Sequence, residues 1–203
     1  MSASSRESIL AAVAAAQPEA LPLPDLSQSG LGSGIVPSPA QAMAVLDQIG
    51  ARVCRVASLR EVREFVQAQR EAGLRVASAV PGISGDVDLG ELQSGHQLDG
   101  VEWGVMRASF GVCENGALWL DEAAMGGCRA LPVIVQRWLV LVGTADWVAD
   151  MHEAYARLGT LDAGFGLFLA GPSKTADIEQ CLVVGAHGVV EATVMLVDAL
   201  TVG

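Results

Sequence analysis

The run Gly171-Pro172-Ser173-Lys174-Thr175-Ala176-Asp177-Ile178-Glu179 sets hydroxyls, a cation and two carboxylates directly behind an apolar, strand-like segment. A strand-to-helix junction of this kind is where α/β proteins bind ligands, because the free N–H groups of a helix start attract a carboxylate or phosphate. The pattern predicts a turn at Gly171 and Pro172, then a helix capped by Ser173 or Thr175 and reaching about Val184, with Lys174 adding a mobile charge. Two readings stand: an anion site, or a well-capped helix whose dipole is complemented by Asp177 and Glu179. The run is not a P-loop, because the glycine required before Lys-Ser/Thr is absent.

A second group is Gly111-Val112-Cys113-Glu114-Asn115-Gly116-Ala117-Leu118. A Glu-Asn-Gly break between apolar segments makes a tight hairpin, or presents Glu114 at a strand end as a nucleophile or general base. His187, bracketed by Gly185 and Gly188, can reach the sheet edge that holds Ser173 and Lys174, since the glycines let the backbone fold tightly. Arg129, ahead of Leu131-Pro132, is a candidate anion partner. The candidate catalytic residues are therefore Glu114 and His187; the candidate ligand-binding residues are Arg129, Gly171, Ser173, Lys174, Thr175, Asp177 and Gly188. Cys54, Cys113, Cys128 and Cys181 are scattered without a C-x-x-C pair, so neither a zinc site nor an iron–sulfur cluster nor any other cofactor is expected on this chain alone.

These residues need a scaffold, and the chain of 203 residues, 51 % of them apolar, is long enough to bury one substantial core. A formal net charge of -11 repels phosphate backbones, which argues against a nucleic-acid partner. The longest apolar run, Leu131 to Ala145, is broken by Gln136 and Arg137 and falls short of the ~20 residues that span a bilayer. Residues 9–16 follow Glu7 and read as an N-terminal helix rather than a secretory core, so a cytoplasmic location is expected.

The expected organisation is an N-terminal helix over 1–17, a Pro/Gly/Ser-rich linker over 18–37 and one α/β domain over 38–203. Capping boxes at Ser4/Glu7, Ser38/Gln41 and Ser58/Glu61 open helices; Gly50 and Gly73 close the second and third. Strands are expected near 53–56, 74–80, 110–113, 116–120, 133–142, 165–170 and 193–197, with an exposed loop over 81–100 and a helix from Thr144 to Gly159. Alternating strands and helices predict a three-layer α/β/α fold with a mostly parallel sheet.

The sequence also resembles the lactate-utilisation protein C family (LutC/YkgG, the LUD domain). Residues 171–179 look like the family's Gly-Pro-Ser-Arg/Lys-Thr-Ala-Asp-Ile-Glu segment, and Gly185-Ala186-His187-Gly188 like its G-x-H-G. Glu114 with Gly116, Arg129 with Leu131-Pro132, and Ser5-Arg6-Glu7 with Ile9-Leu10 fit further segments. Departures are Val189, Asn115, Ala117 and Gln136-Arg137. The resemblance implies a NagB/RpiA/CoA-transferase-like fold and an accessory or small-anion-binding subunit that takes a small carboxylate or other anionic ligand and works beside iron–sulfur partner proteins in oxidising L-lactate to pyruvate. Cys113-Glu114-Asn115-Gly116 is similar to the S-E-N-G segment of CoA transferases, which implies the alternative of Glu114 attacking a thioester. An acidic α/β domain of this type is compatible with a homodimer.

Overall fold

A computed structural model describes residues 4–22, 34–159, 164–176 and 182–200. The chain forms two compact units, Met1–Leu31 and Gly32–Gly203. In the first, helix α1 (Ser5–Ala15) opens on the expected capping box, Ser4 Oγ accepting from the Glu7 N–H at 3.3 Å and the Glu7 carboxylate accepting from the Ser4 N–H at 2.7 Å.

The second unit begins with α2 (Pro39–Gln48), where Ser38 Oγ accepts from the Gln41 N–H at 3.1 Å and Pro39 fits the first turn. Next come β1 (Arg52–Ser58), α3 (Leu59–Glu71), β2 (Val76–Ser78), β3 (Trp103–Arg107), β4 (Phe110–Val112) and β5 (Leu118–Asp121). They are followed by α4 (Leu131–Ile134), β6 (Arg137–Gly143), β7 (Trp147–Val148), α5 (Met151–Leu158), β8 (Gly166–Leu169), β9 (Lys174–Thr175), β10 (Val183–Val184) and β11 (Glu191–Ala199). Five strands pair in parallel in the order β1-β11-β6-β3-β2, the mostly parallel central sheet that the alternation predicts.

The apolar run of β6 is explained by its place in the middle of that sheet. Trp138, Val140 and Val142 pack with Ala42 and Leu46 of α2, while Leu139 and Leu141 face the other way onto Val62 and Val66 of α3. A parallel strand is covered on both faces, so its sequence does not alternate between apolar and polar. On the α2 side a second sheet, ordered β7-β4-β5-β8, adds Leu118 and Leu120 to the same core. Its far face, with Phe110, Trp119 and Phe168, packs on Ala154 of α5.

Several expected elements change character. The strand expected from 133 begins at Arg137, because Leu131-Pro132 opens the short helix α4, where proline is tolerated in the first turn. Thr144 does not start a helix: Trp147 joins β7, its ring resting against Gly111, and α5 starts only after Asp150, which accepts from the Glu153 N–H at 3.0 Å. Most consequentially, no helix starts at Ser173 or Thr175; β9 pairs antiparallel with β10 in the register Thr175↔Val183 and Lys174↔Val184. β-Branched Thr175, Val183 and Val184 suit that pleated pairing better than a helix. The remainder of the expected helix, including Asp177, lies outside the described residues. Strand β3 was hidden by Gly104, whose bare backbone admits Val135 and Leu131 to within 3.1–3.4 Å of the place a side chain would take.

The stretch 81–100 is more than an exposed loop, since it buries Ile83 and Leu98. Asp86 substitutes for a neighbouring strand at the edge of the sheet: its carboxylate accepts from the Val76 N–H at 2.9 Å and from Arg70 Nε at 2.8 Å. The hydrogen bond from Arg70 chiefly holds the Asp86 carboxyl below its ordinary value, against the effect of burial. Its folded pKa is thus lower than its unfolded one, so its contribution is complete above the unfolded value near 4 and disappears as pH falls through the folded value. Urea midpoints measured against pH should show Asp86→Asn less stable than wild type at neutral pH and the gap closing below about pH 4; a gap independent of pH would contradict this. Leu139→Ala, at a fully buried site in the central strand, should cost about 2–5 kcal/mol in the same assay.

Candidate functional site

Two sequence runs far apart in the chain meet beside the start of β6. The Ser173 N–H donates to the Val189 carbonyl at 2.9 Å, and the Gly185 N–H donates to the Ser173 carbonyl at 2.9 Å. These bonds seat the Gly171–Ser173 turn against the Gly185–Val189 turn. Gly188, at φ +76°, allows the second turn to come close: a side chain there would stand 3.4 Å from the Val133 carbonyl and 3.9 Å from Ser173 Oγ. Gly171, at φ +66°, is tighter, since a Cβ would lie 2.9 Å from both the Ile49 carbonyl oxygen and Lys174 Nζ.

Between the turns lies a cavity of about 460 Å³ lined by Ser173, His187, Gly188, Trp138, Val133 and Leu169 among others, a volume typical of small-molecule sites. Its walls are mainly apolar and its polar groups few. Ser173 is half-buried and His187 exposed. Trp138 is fully buried, and its indole N–H has no hydrogen-bond partner among the described residues. Leaving such a donor unpaired costs roughly 1–3 kcal/mol. The cavity sits by the N-terminal ends of β6 and β11, not at the carboxyl ends where open α/β sheets commonly bind ligands.

Of the residues singled out from sequence, the structure brings together Gly171, Ser173, His187 and Gly188. Lys174 and Thr175 lie one step away on β9, outside the lining. Glu114 is exposed in the β4–β5 turn, where it accepts from the Met151 N–H, at the start of α5, at 3.1 Å. Asn115 shapes that turn by accepting from the Ala117 N–H at 3.0 Å. Arg129 is engaged elsewhere: it pairs with Glu122 at 2.7 Å, stacks over Phe165 and borders a separate cleft with Ser94 and Cys128. Burial pushes the Cys113 thiol above its ordinary range, with Glu153 adding to the effect, while a backbone hydrogen bond at Ser38 opposes it. A thiol so shifted is a poor nucleophile at neutral pH. Sequence reasoning missed Trp138 and Val133; the signal available was a tryptophan with a polar N–H inside an otherwise aliphatic run.

Among the described residues no helix is long and apolar enough to cross a membrane, and no group of three or more His, Cys, Asp or Glu side chains is arranged to hold a metal ion. Residues 93–197 match the LUD domain, and the chain belongs to the LUD-domain family. Within that class it stands with the lactate-utilisation protein C/YkgG proteins, as the sequence motifs imply. It is 32 % identical over 102 residues to lactate utilization protein C of Bacillus pumilus, covering 47 % of this chain and 42 % of that protein. It is 31 % identical over 109 residues to the protein YkgG of Escherichia coli, covering 50 % and 46 % respectively. The matched segments thus span less than half the length of these curated relatives. A crystal structure of a DUF162 family protein from Deinococcus radiodurans superposes with a TM-score of 0.58 at 21 % identity, covering 79 % of this chain and 99 % of that one. That likeness establishes the fold.

The tight glycine generates a test. Gly171→Ala should destabilise the domain by about 1–3 kcal/mol in urea unfolding, because alanine is strained at this φ and meets backbone as well as Lys174; a change within about 0.5 kcal/mol would mean that the turn relaxes freely.

Proposed function

We propose that the cavity between Ser173 and His187 binds a small carboxylate, and that the chain serves lactate utilisation as an accessory subunit. The observation that carries this reading is the meeting of the Gly171–Ser173 and Gly185–Val189 turns around one pocket lined by Ser173 and His187. A 2-hydroxy or 2-keto acid has the matching chemistry. Its carboxylate accepts from the Ser173 hydroxyl, its 2-oxygen faces His187, and its methyl group packs on Val133 and Leu169. The chemistry of oxidation is assigned to iron–sulfur partner proteins, because four scattered cysteines supply no cluster-ligand spacing. The names of the relatives, lactate utilization protein C, support a part in lactate utilisation. In this reading the protein works in the cytoplasm beside those partners.

The test is lactate-dependent dye reduction in extracts lacking the chain, then complemented with wild type, His187→Ala or Ser173→Ala. Activity should vanish on deletion and return with wild type, while each variant should recover about a tenth or less of it, as expected when hydrogen bonds to a charged group are lost. Undiminished dye reduction without the chain would refute the role in lactate utilisation; full rescue by both variants would refute the cavity as its site.

A further inference from the structure

On the opposite face of the same sheet edge, one corner is left uncovered. The crossover from β1 to β2 runs through α3 and spans the whole five-stranded sheet, since those two strands form its opposite edges. Five strands are roughly 20 Å across and a helix about 10 Å thick, so a single helix cannot cover the face. At the N-terminal ends of the strands a cavity of about 400 Å³ remains.

Its chemistry follows from the register. Trp103, Arg137 and Glu191 are cross-strand neighbours on β3, β6 and β11, and Arg52 stands at the start of β1. All four project to the face that α3 covers, together with Phe65 of α3 and Met195 of β11. Arg52 pairs with Glu191 at 2.9 Å, and Arg137 pairs with the same carboxylate at 3.3 Å. Two guanidinium groups therefore share one carboxylate, and among the described residues Glu191 is the one acid in the lining. Among those lining residues the cations outnumber the acids by one, in a chain whose net charge is -11, although Glu61 of α3 also acts on Cys54 of the same cavity. The Arg137 guanidinium lies 6.0 Å from the Trp103 ring centroid, and Phe65 meets Trp103 edge-on at 5.4 Å. The indole N–H of Trp103, a residue only 4 % exposed, has no hydrogen-bond partner among the described residues.

We propose that this corner is a second binding site, specific for a small carboxylate with an apolar or aromatic body. One such ligand balances the excess charge, its carboxylate joining Arg52 and Arg137 beside Glu191, as planar guanidinium groups favour. Its body lies on the aromatic and thioether surface of Trp103, Phe65 and Met195. The first cavity offers a hydroxyl and an imidazole with no guanidinium among its described lining residues, and so suits a short hydroxy acid instead.

The test uses benzoate on the full chain, followed by saturation-transfer NMR and titration. Wild type should bind it saturably in the micromolar to millimolar range. Arg52→Gln, at a side chain 76 % exposed and therefore safe for folding, and Arg137→Gln should each weaken binding about tenfold or more. Arg60→Gln, which removes the same charge from the outer surface of α3, should leave it unchanged. Absence of saturable binding, equal binding by wild type and Arg52→Gln, or an equal loss in Arg60→Gln would each overturn the proposal. Failure here leaves the Ser173–His187 reading untouched, because that reading is scored by lactate-dependent dye reduction.

Discussion

The parallel pairing of β6 with β11 on one side and β3 on the other is the constraint from which the rest of this domain follows. A parallel strand buried on both faces needs apolar side chains in both directions and crossover connections long enough to return the chain. Here one return is the helix α3, and the other face is shared by α2 and the small second sheet. Because β6 and β11 are adjacent, the segments that lead into them are adjacent too. That is why α4 and the His187 turn face each other across a pocket although some fifty residues separate them.

The two cavities differ in chemistry because they open on opposite faces of that edge. One is walled by turns whose backbones hydrogen-bond directly to one another, which leaves few polar side chains and an apolar lining. The other is walled by strand ends, three of which begin with a charged residue, Arg52, Arg137 and Glu191. Beside each, a tryptophan indole N–H is buried with no partner among the described residues, a cost that a compact fold seldom leaves uncompensated.

Much of the scaffold was legible in the sequence, and for identifiable reasons. Ser38 with Pro39 marks the start of α2, and the long aliphatic stretch containing Leu139 to Val142 marks the central strand, because local capping and burial on two faces leave strong patterns. What escaped was decided by contacts distant in sequence. Gly104 looks like a break, yet it is a place where a strand lets large side chains approach its backbone. Polar Ser173 and Thr175 look like a helix start, yet the bonds from Ser173 to Val189 and Gly185 commit that segment to extended pairing. The site was half visible: His187 and Ser173 announced themselves by their glycine neighbours, whereas Trp138 is recognised only once β6 has a face.

Arg137 and Trp138 are consecutive residues of one strand, and each serves a different cavity. Since successive side chains of a strand point to opposite faces, a single inserted or deleted residue at the start of β6 would exchange a guanidinium for an indole on both sides at once. Substitutions can therefore reshape either pocket alone during evolution, but changes of length at this point cannot. Divergent relatives should vary freely in what these two positions contain while keeping the count of residues between Pro132 and Gly143 fixed.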